Sequence, residues 1–139
     1  FCHESHSASA SVHLNDHGAA VSAIKLNVLD APISDKMKAL LQIAAKVQIG
    51  GKEVKPEQIE EARKAGASDE DIHDTVLIAA AFCMYNRYVD GLGTNLPDSP
   101  DDYAGMGLRM AKVGYKYPPL FLRKWVIRRM RKTNKKESV

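Results

Sequence analysis

Apolar residues along this chain recur at helical spacing between glycines, prolines and capping residues, and nowhere alternate long enough to mark a strand. Residues 1–14 read as a helix of small residues whose start is expected to lie before Phe1, ended by a corner at Asn15-Asp16-His17-Gly18. A second helix is expected over residues 19–29 (AAVSAIKLNVL), closed by Asp30-Ala31-Pro32. Ser34 can cap a third, Asp35 to Ile49, whose apolar stripe reads as Met37, Leu40, Leu41, Ala44, Ala45 and Val47. Gly50-Gly51 stops it. Pro56 suits the first turn of a fourth helix, which Gly66 terminates. Ser68 opens the longest helix, with Asp71 three residues on completing a capping box, and Asp69, Glu70 and Asp71 crowd its positive end. The stretch Thr75–Tyr85 is apolar nearly all round, which predicts that this helix sits in the middle of the fold, and Gly91 and Gly93 close it. Beyond a turn-rich linker at residues 94–100 (TNLPDSP), residues 101–113 should form a weaker helix interrupted by Gly105 and Gly107. After Tyr117-Pro118-Pro119, residues 120–132 (LFLRKWVIRRMRK) read as a basic amphipathic helix, with 133–139 frayed.

A chain of 139 residues can bury a core in one domain without disulfides or a structural metal. Its low aromatic content, 6%, and its many alanines favour closely packed helices over a sandwich of sheets. The net charge of +3 sits at one end: Arg123, Lys124, Arg128, Arg129, Arg131, Lys132, Lys135 and Lys136 account for it, and the remainder is slightly acidic. Three uses for this arm compete: docking in an oligomer, lying on a membrane surface, or touching nucleic acid. A single basic helix without a recognisable nucleic-acid motif gives no reason to expect nucleic acid. No apolar stretch reaches the roughly 20 residues that span a bilayer, so no membrane span is expected. Two cysteines do not make a secreted disulfide scaffold, which points to a reducing, cytoplasmic setting. The first residue is Phe rather than Met, and part of the N-terminal segment is expected to be missing.

The chemistry-bearing pair is Cys2 and His6. Four residues apart on a helix, they share one face. A thiol is a poor nucleophile until it loses its proton, and a free cysteine does so only near pH 8.5. An imidazole one turn away can take or relay that proton, and a helix N-terminus favours the thiolate.

The segment CHESHSASAS resembles the second half of the Cys-x-x-Cys-x-x-x-His signature of the alkylhydroperoxidase D-like (carboxymuconolactone decarboxylase) family, with His6 four after Cys2 and small residues Ser7–Ser11 following. Residues 34–93 are similar to the region after the signature in the peroxidase-related branch. There the shared features are a helix ending in Ala-Lys, a Val/Pro-led short helix, an Ala-Gly corner, and a long helix ending here in Asn86-Arg87-Tyr88-Val89-Asp90. The resemblance spans residues 1–93 and rests on the combination of motifs. It implies an all-α, compact multi-helix fold and a homo-oligomer that reduces hydroperoxides with a thiol reductant and no cofactor. Cys2 would attack the peroxide and become a sulfenic acid, and His6 would relay the proton. The first Cys of the pattern would lie three residues before Cys2, and its relay Glu further upstream, both ahead of Phe1. Either those residues precede this chain or a partner thiol completes the cycle. Residues 94–139 would be a helical extension packing on the domain or on a neighbouring subunit.

Other residues compete with this pair. Cys83, in the apolar stretch of the long helix, reads first as a buried, inert thiol, and otherwise as a resolving partner for Cys2. Asn86, Arg87 and Asp90 read as a buried polar network at the helix end, or else Asn86 and Arg87 line the pocket beside the thiol. His3, His6, His13 and His17 cluster early, but with no second group of ligands no metal site is expected. Glu4 falls on another face, in solvent. Two other functions fit the same residues: lactone decarboxylase-type chemistry, which works without the Cys pair, and a non-enzymatic helical interaction module using the basic C-terminal helix.

Overall fold

The computed structural model describes residues 2–15, 18–97, 99–116 and 119–122. Among them the chain is all-helical, with no strand. Six α-helices follow one another: α1 (Cys2–Leu14), α2 (Ala19–Leu26), α3 (Asp35–Ile49), α4 (Pro56–Lys64), α5 (Asp69–Gly91) and α6 (Pro100–Val113). A single 3-10 turn over Gly51–Glu53, absent from the sequence-based expectation, joins α3 to α4.

The boundaries follow local chemistry. Asn15 and Gly18 take left-handed backbone angles at the corner after α1, φ 52° and 84°. Helix α2 stops three residues earlier than expected because Asn27 turns to extended backbone. Its side chain then accepts from the Leu29 N–H and donates to Asp30, an Asx turn that competes with the helix. Ser34 caps α3 by accepting from the Met37 N–H. At the start of α5, Ser68 Oγ accepts from the Asp71 N–H while Asp71 accepts from the Ser68 N–H at 2.8 Å, the reciprocal box expected from the sequence. Ser99 Oγ accepts from the Asp101 N–H to cap α6.

Two packing arrangements divide the molecule. Helices α3, α4 and α5 enclose an aliphatic core of Leu40, Ile43, Val47, Ala62, Ala67 and Ile72, with Val54, Ile59 and Val76 half-buried around it. The stripe of α3 centres on Ile43, which is fully buried, whereas Met37 and Ala45 face solvent. The true seam is Leu40, Ile43 and Val47, one residue round from the expected face. The Lys36 ammonium reaches Asp71 at 2.7 Å and ties α3 to the cap of α5.

The other arrangement is α1 against α6. Its buried face on α1 is Cys2, Ser5 and Ser9, small residues at helical spacing. Gly107 is buried on the facing helix, and a Cβ there would come within 2.5 Å of the Ala8 Cβ and 2.6 Å of the Ala8 carbonyl carbon. Gly105 and Gly107 therefore do not interrupt α6, which runs unbroken through both, and Gly107 lets two backbones touch.

Helix α5 does not sit in the middle of the fold. Ile72 is its one fully buried residue, and Leu77, Ile78, Met84 and Tyr85 are each more than half exposed. Among the described residues α5 packs on the α3–α4 core through Ile72, Val76 and Ala79, and Phe82 meets His6, while Leu77, Ile78, Met84 and Tyr85 stay exposed. The basic helix expected over 120–132 lies outside the described residues from 123 onward.

Candidate functional site: a thiol and an imidazole at the start of α1

Cys2 occupies the first described turn of α1. It is 8% exposed and its thiol is free. His6, one turn on, is half-buried and bends back toward the helix start. Its Nδ1 lies 2.8 Å from the Cys2 carbonyl oxygen. A carbonyl only accepts, so Nδ1 carries the proton and Nε2 of the neutral ring is left as an acceptor. Ser5 Oγ donates to the same carbonyl at 3.2 Å and lies 3.4 Å from His6 Nδ1.

The far end of the ring meets residues distant in sequence. Tyr115, just beyond α6, puts its phenol 2.5 Å from His6 Nε2 and donates to it. Phe82 of α5 stands against the imidazole edge to face, ring centroids 4.7 Å apart and planes at 87°. His6 is thus held from three sides: its own helix, α5, and the segment after α6. Among the described residues no hydrogen bond joins the Cys2 sulfur to the imidazole. What binds the two residues together is the Cys2 carbonyl.

The remaining candidates lie elsewhere. Cys83 is a free thiol and half-buried, not enclosed in the core. Asn86, Arg87 and Asp90 are exposed, so the buried polar network expected at the end of α5 is not formed. The apolar cover it required is lacking there, and Arg87 Nη1 folds back to donate to the Cys83 carbonyl at 3.0 Å. Glu4 is exposed, with the His3 ring at 2.8 Å and the Lys25 ammonium at 3.1 Å, which hold its carboxyl below the usual carboxylate range. His13 is exposed, and His17 lies outside the described residues. Among the described residues no three His, Cys, Asp or Glu side chains gather where they could hold a metal ion.

Sequence spacing finds Cys2 and His6 but misses Tyr115, Phe82 and Ser5. Tyr115 is 109 positions from His6, and no periodicity links them. An open cavity of about 380 Å³ lies further along α1, between Ala8, Ser11, Val12, Asn15 and Ala104, and does not reach Cys2. No family model, curated protein or solved structure matches the chain.

Proposed function

We propose that this protein is a thiol-dependent, peroxidase-like oxidoreductase of the alkylhydroperoxidase D-like kind, acting on small hydroperoxides. The observation that carries the reading is the imidazole of His6 tied through Nδ1 to the carbonyl of Cys2, one helical turn from a free thiol, with Nε2 left as the ring's basic nitrogen. The Cys2 thiol gives up its proton, which solvent carries to His6 Nε2, the ring nitrogen without one. The thiolate then attacks the outer peroxide oxygen and the O–O bond breaks. Sulfur is oxidised by two electrons to a sulfenic acid, and the leaving alkoxide takes up the proton to become an alcohol. A thiol reductant condenses with the sulfenic acid, releasing water, and a second thiol equivalent frees Cys2.

Because Cys2 is 8% exposed, oxidant reaches it only through a local opening of the residues around it. Chemistry of this kind belongs in a reducing compartment such as the cytoplasm. Among the described residues no helix is long and apolar enough to cross a membrane. The same reading makes the protein a homo-oligomer, and the bare Leu77, Ile78, Met84, Tyr85 and Tyr88 of α5 support it.

One alternative has an observation behind it. The burial of Cys2 on the face of α1 that packs against α6 also fits a helical interaction module in which Cys2 merely packs. Hydrogen peroxide consumption in the presence of dithiothreitol separates the two. The enzymatic reading expects turnover that Cys2→Ser abolishes with helicity unchanged and that Cys83→Ser retains. Equal consumption by wild type and Cys2→Ser would leave the interaction module.

A further inference from the structure

The thiol and the imidazole stand on one helix, yet the imidazole is hydrogen-bonded by a residue 109 positions further along the chain. Three features deliver that residue. Gly107 lets α6 lie directly against the backbone of Ala8 and Ser9, fixing the position of α6 along α1. Gly114 then turns the chain with φ 62°, a left-handed angle that side chains disfavour. Tyr115 follows at once and reaches back to His6 Nε2 at 2.5 Å. The phenol is otherwise in solvent, 70% exposed, so packing does not hold it there. Phe82 closes a different side of the ring and offers no polar atom.

We propose that Tyr115 is a positioning residue of the site: its O–H donates to His6 Nε2 and, with the Cys2 carbonyl accepting from Nδ1–H, fixes the tautomer and direction of the imidazole. The functional half of this inference rests on the thiol-peroxidase reading; the structural half does not. A neutral imidazole has one donor and one acceptor nitrogen; here Nδ1 has the Cys2 carbonyl at 2.8 Å, with Ser5 Oγ farther off at 3.4 Å, and Nε2 has the Tyr115 phenol. An imidazole so held cannot flip its two nitrogens, and its basic nitrogen always points at the phenol. Among the described residues Tyr115 is the polar group on Nε2, and it is 70% exposed, so a proton arriving at that nitrogen has a path outward through the phenol oxygen. Second partners of this kind set which nitrogen of a histidine is basic and where it points.

The test uses the whole chain, labelled with ¹⁵N-histidine, as wild type and Tyr115→Phe, at mildly alkaline pH. Long-range ¹H–¹⁵N correlation should show His6 protonated at Nδ1. In Tyr115→Phe the Nε2 resonance should move while Nδ1 stays, with an unchanged melting curve, since the lost hydroxyl is exposed. In parallel, Cys2 sulfenylation by hydrogen peroxide is followed by dimedone trapping, and its rate should fall about tenfold or more in Tyr115→Phe, the order expected when an orienting partner is lost. An unmoved Nε2 resonance overturns the contact. A moved resonance with an unchanged oxidation rate overturns the positioning role. If wild-type Cys2 does not react with peroxide at all, the peroxidase reading falls and the positioning role in catalysis falls with it, while the nitrogen spectrum still decides whether Tyr115 holds His6.

Discussion

Helices α3 to α5 and the pair α1–α6 are held together by different physics. The first group buries branched and aliphatic side chains, with Ile43 fully enclosed among Leu40, Val47, Ala62 and Ile72. Its helices begin at explicit caps, Ser34 and the Ser68–Asp71 box. The α1–α6 pair has almost no aliphatic bulk at its seam. Cys2, Ser5 and Ser9 face a helix carrying a buried glycine, and the gain comes from close backbone approach rather than from aliphatic bulk. The chemistry-bearing residues lie in the second region. A seam of small residues leaves a thiol and an imidazole near the surface of the fold, whereas the aliphatic core has no room for polar groups without partners.

If the contrast is right, truncation and enlargement should hurt in opposite places. Ile43→Ala removes buried methyl groups from the aliphatic core and should cost about 3 kcal/mol in urea unfolding. The His6–Tyr115 contact should survive in the folded fraction. Gly107→Ala adds a single methyl group where 2.5 Å separates it from Ala8, and should cost about 1–3 kcal/mol. That variant should also release the Nε2 resonance of His6 although no residue of the site has changed. A Gly107→Ala protein with wild-type stability and an unmoved His6 would show that the two helices do not touch as described.

The sequence pattern located the α3–α5 group well, because capping residues and helix-stopping glycines act over a few residues and are visible in a local window. Ser34, Gly66 and Ser68 stand at the helix boundaries where they were expected. The stripe of α3 was misjudged because alanines count as apolar wherever they fall, and Ile43, not Ala44 or Ala45, turned inward. The central position assigned to α5 failed for a related reason. Apolar residues on every side say that a helix is to be covered, not that its own chain covers it. Within the site, Cys2 and His6 were legible from one-turn spacing. Tyr115 was not, since its approach depends on how α6 lies on α1, and Gly107, read as an interruption, was the residue that set it.

A smaller effect sharpens the comparison from the side of pH. The Lys36 ammonium, then the Ser68 backbone N–H and hydroxyl, lower the Asp71 carboxyl from 3.8 to about 2. A depressed carboxylate stabilises the fold above its unfolded value, and that contribution is lost as pH falls from near 4 through about 2. Melting temperatures of wild type and Asp71→Asn should therefore differ at neutral pH and converge by about pH 2. A constant gap across that range would mean that Asp71 acts through packing and not through its charge.

The reactivity of the two thiols toward hydrogen peroxide, read residue by residue as dimedone adducts by mass spectrometry, bears most directly on the central claim. Cys2 is buried and Cys83 only half-buried, so access alone would oxidise Cys83 first. A thiol activated by His6 predicts the reverse: Cys2 modified ahead of Cys83, and slowed on the order of a hundredfold by His6→Ala. Cys83 reacting first, or a Cys2 rate indifferent to His6, would contradict the account.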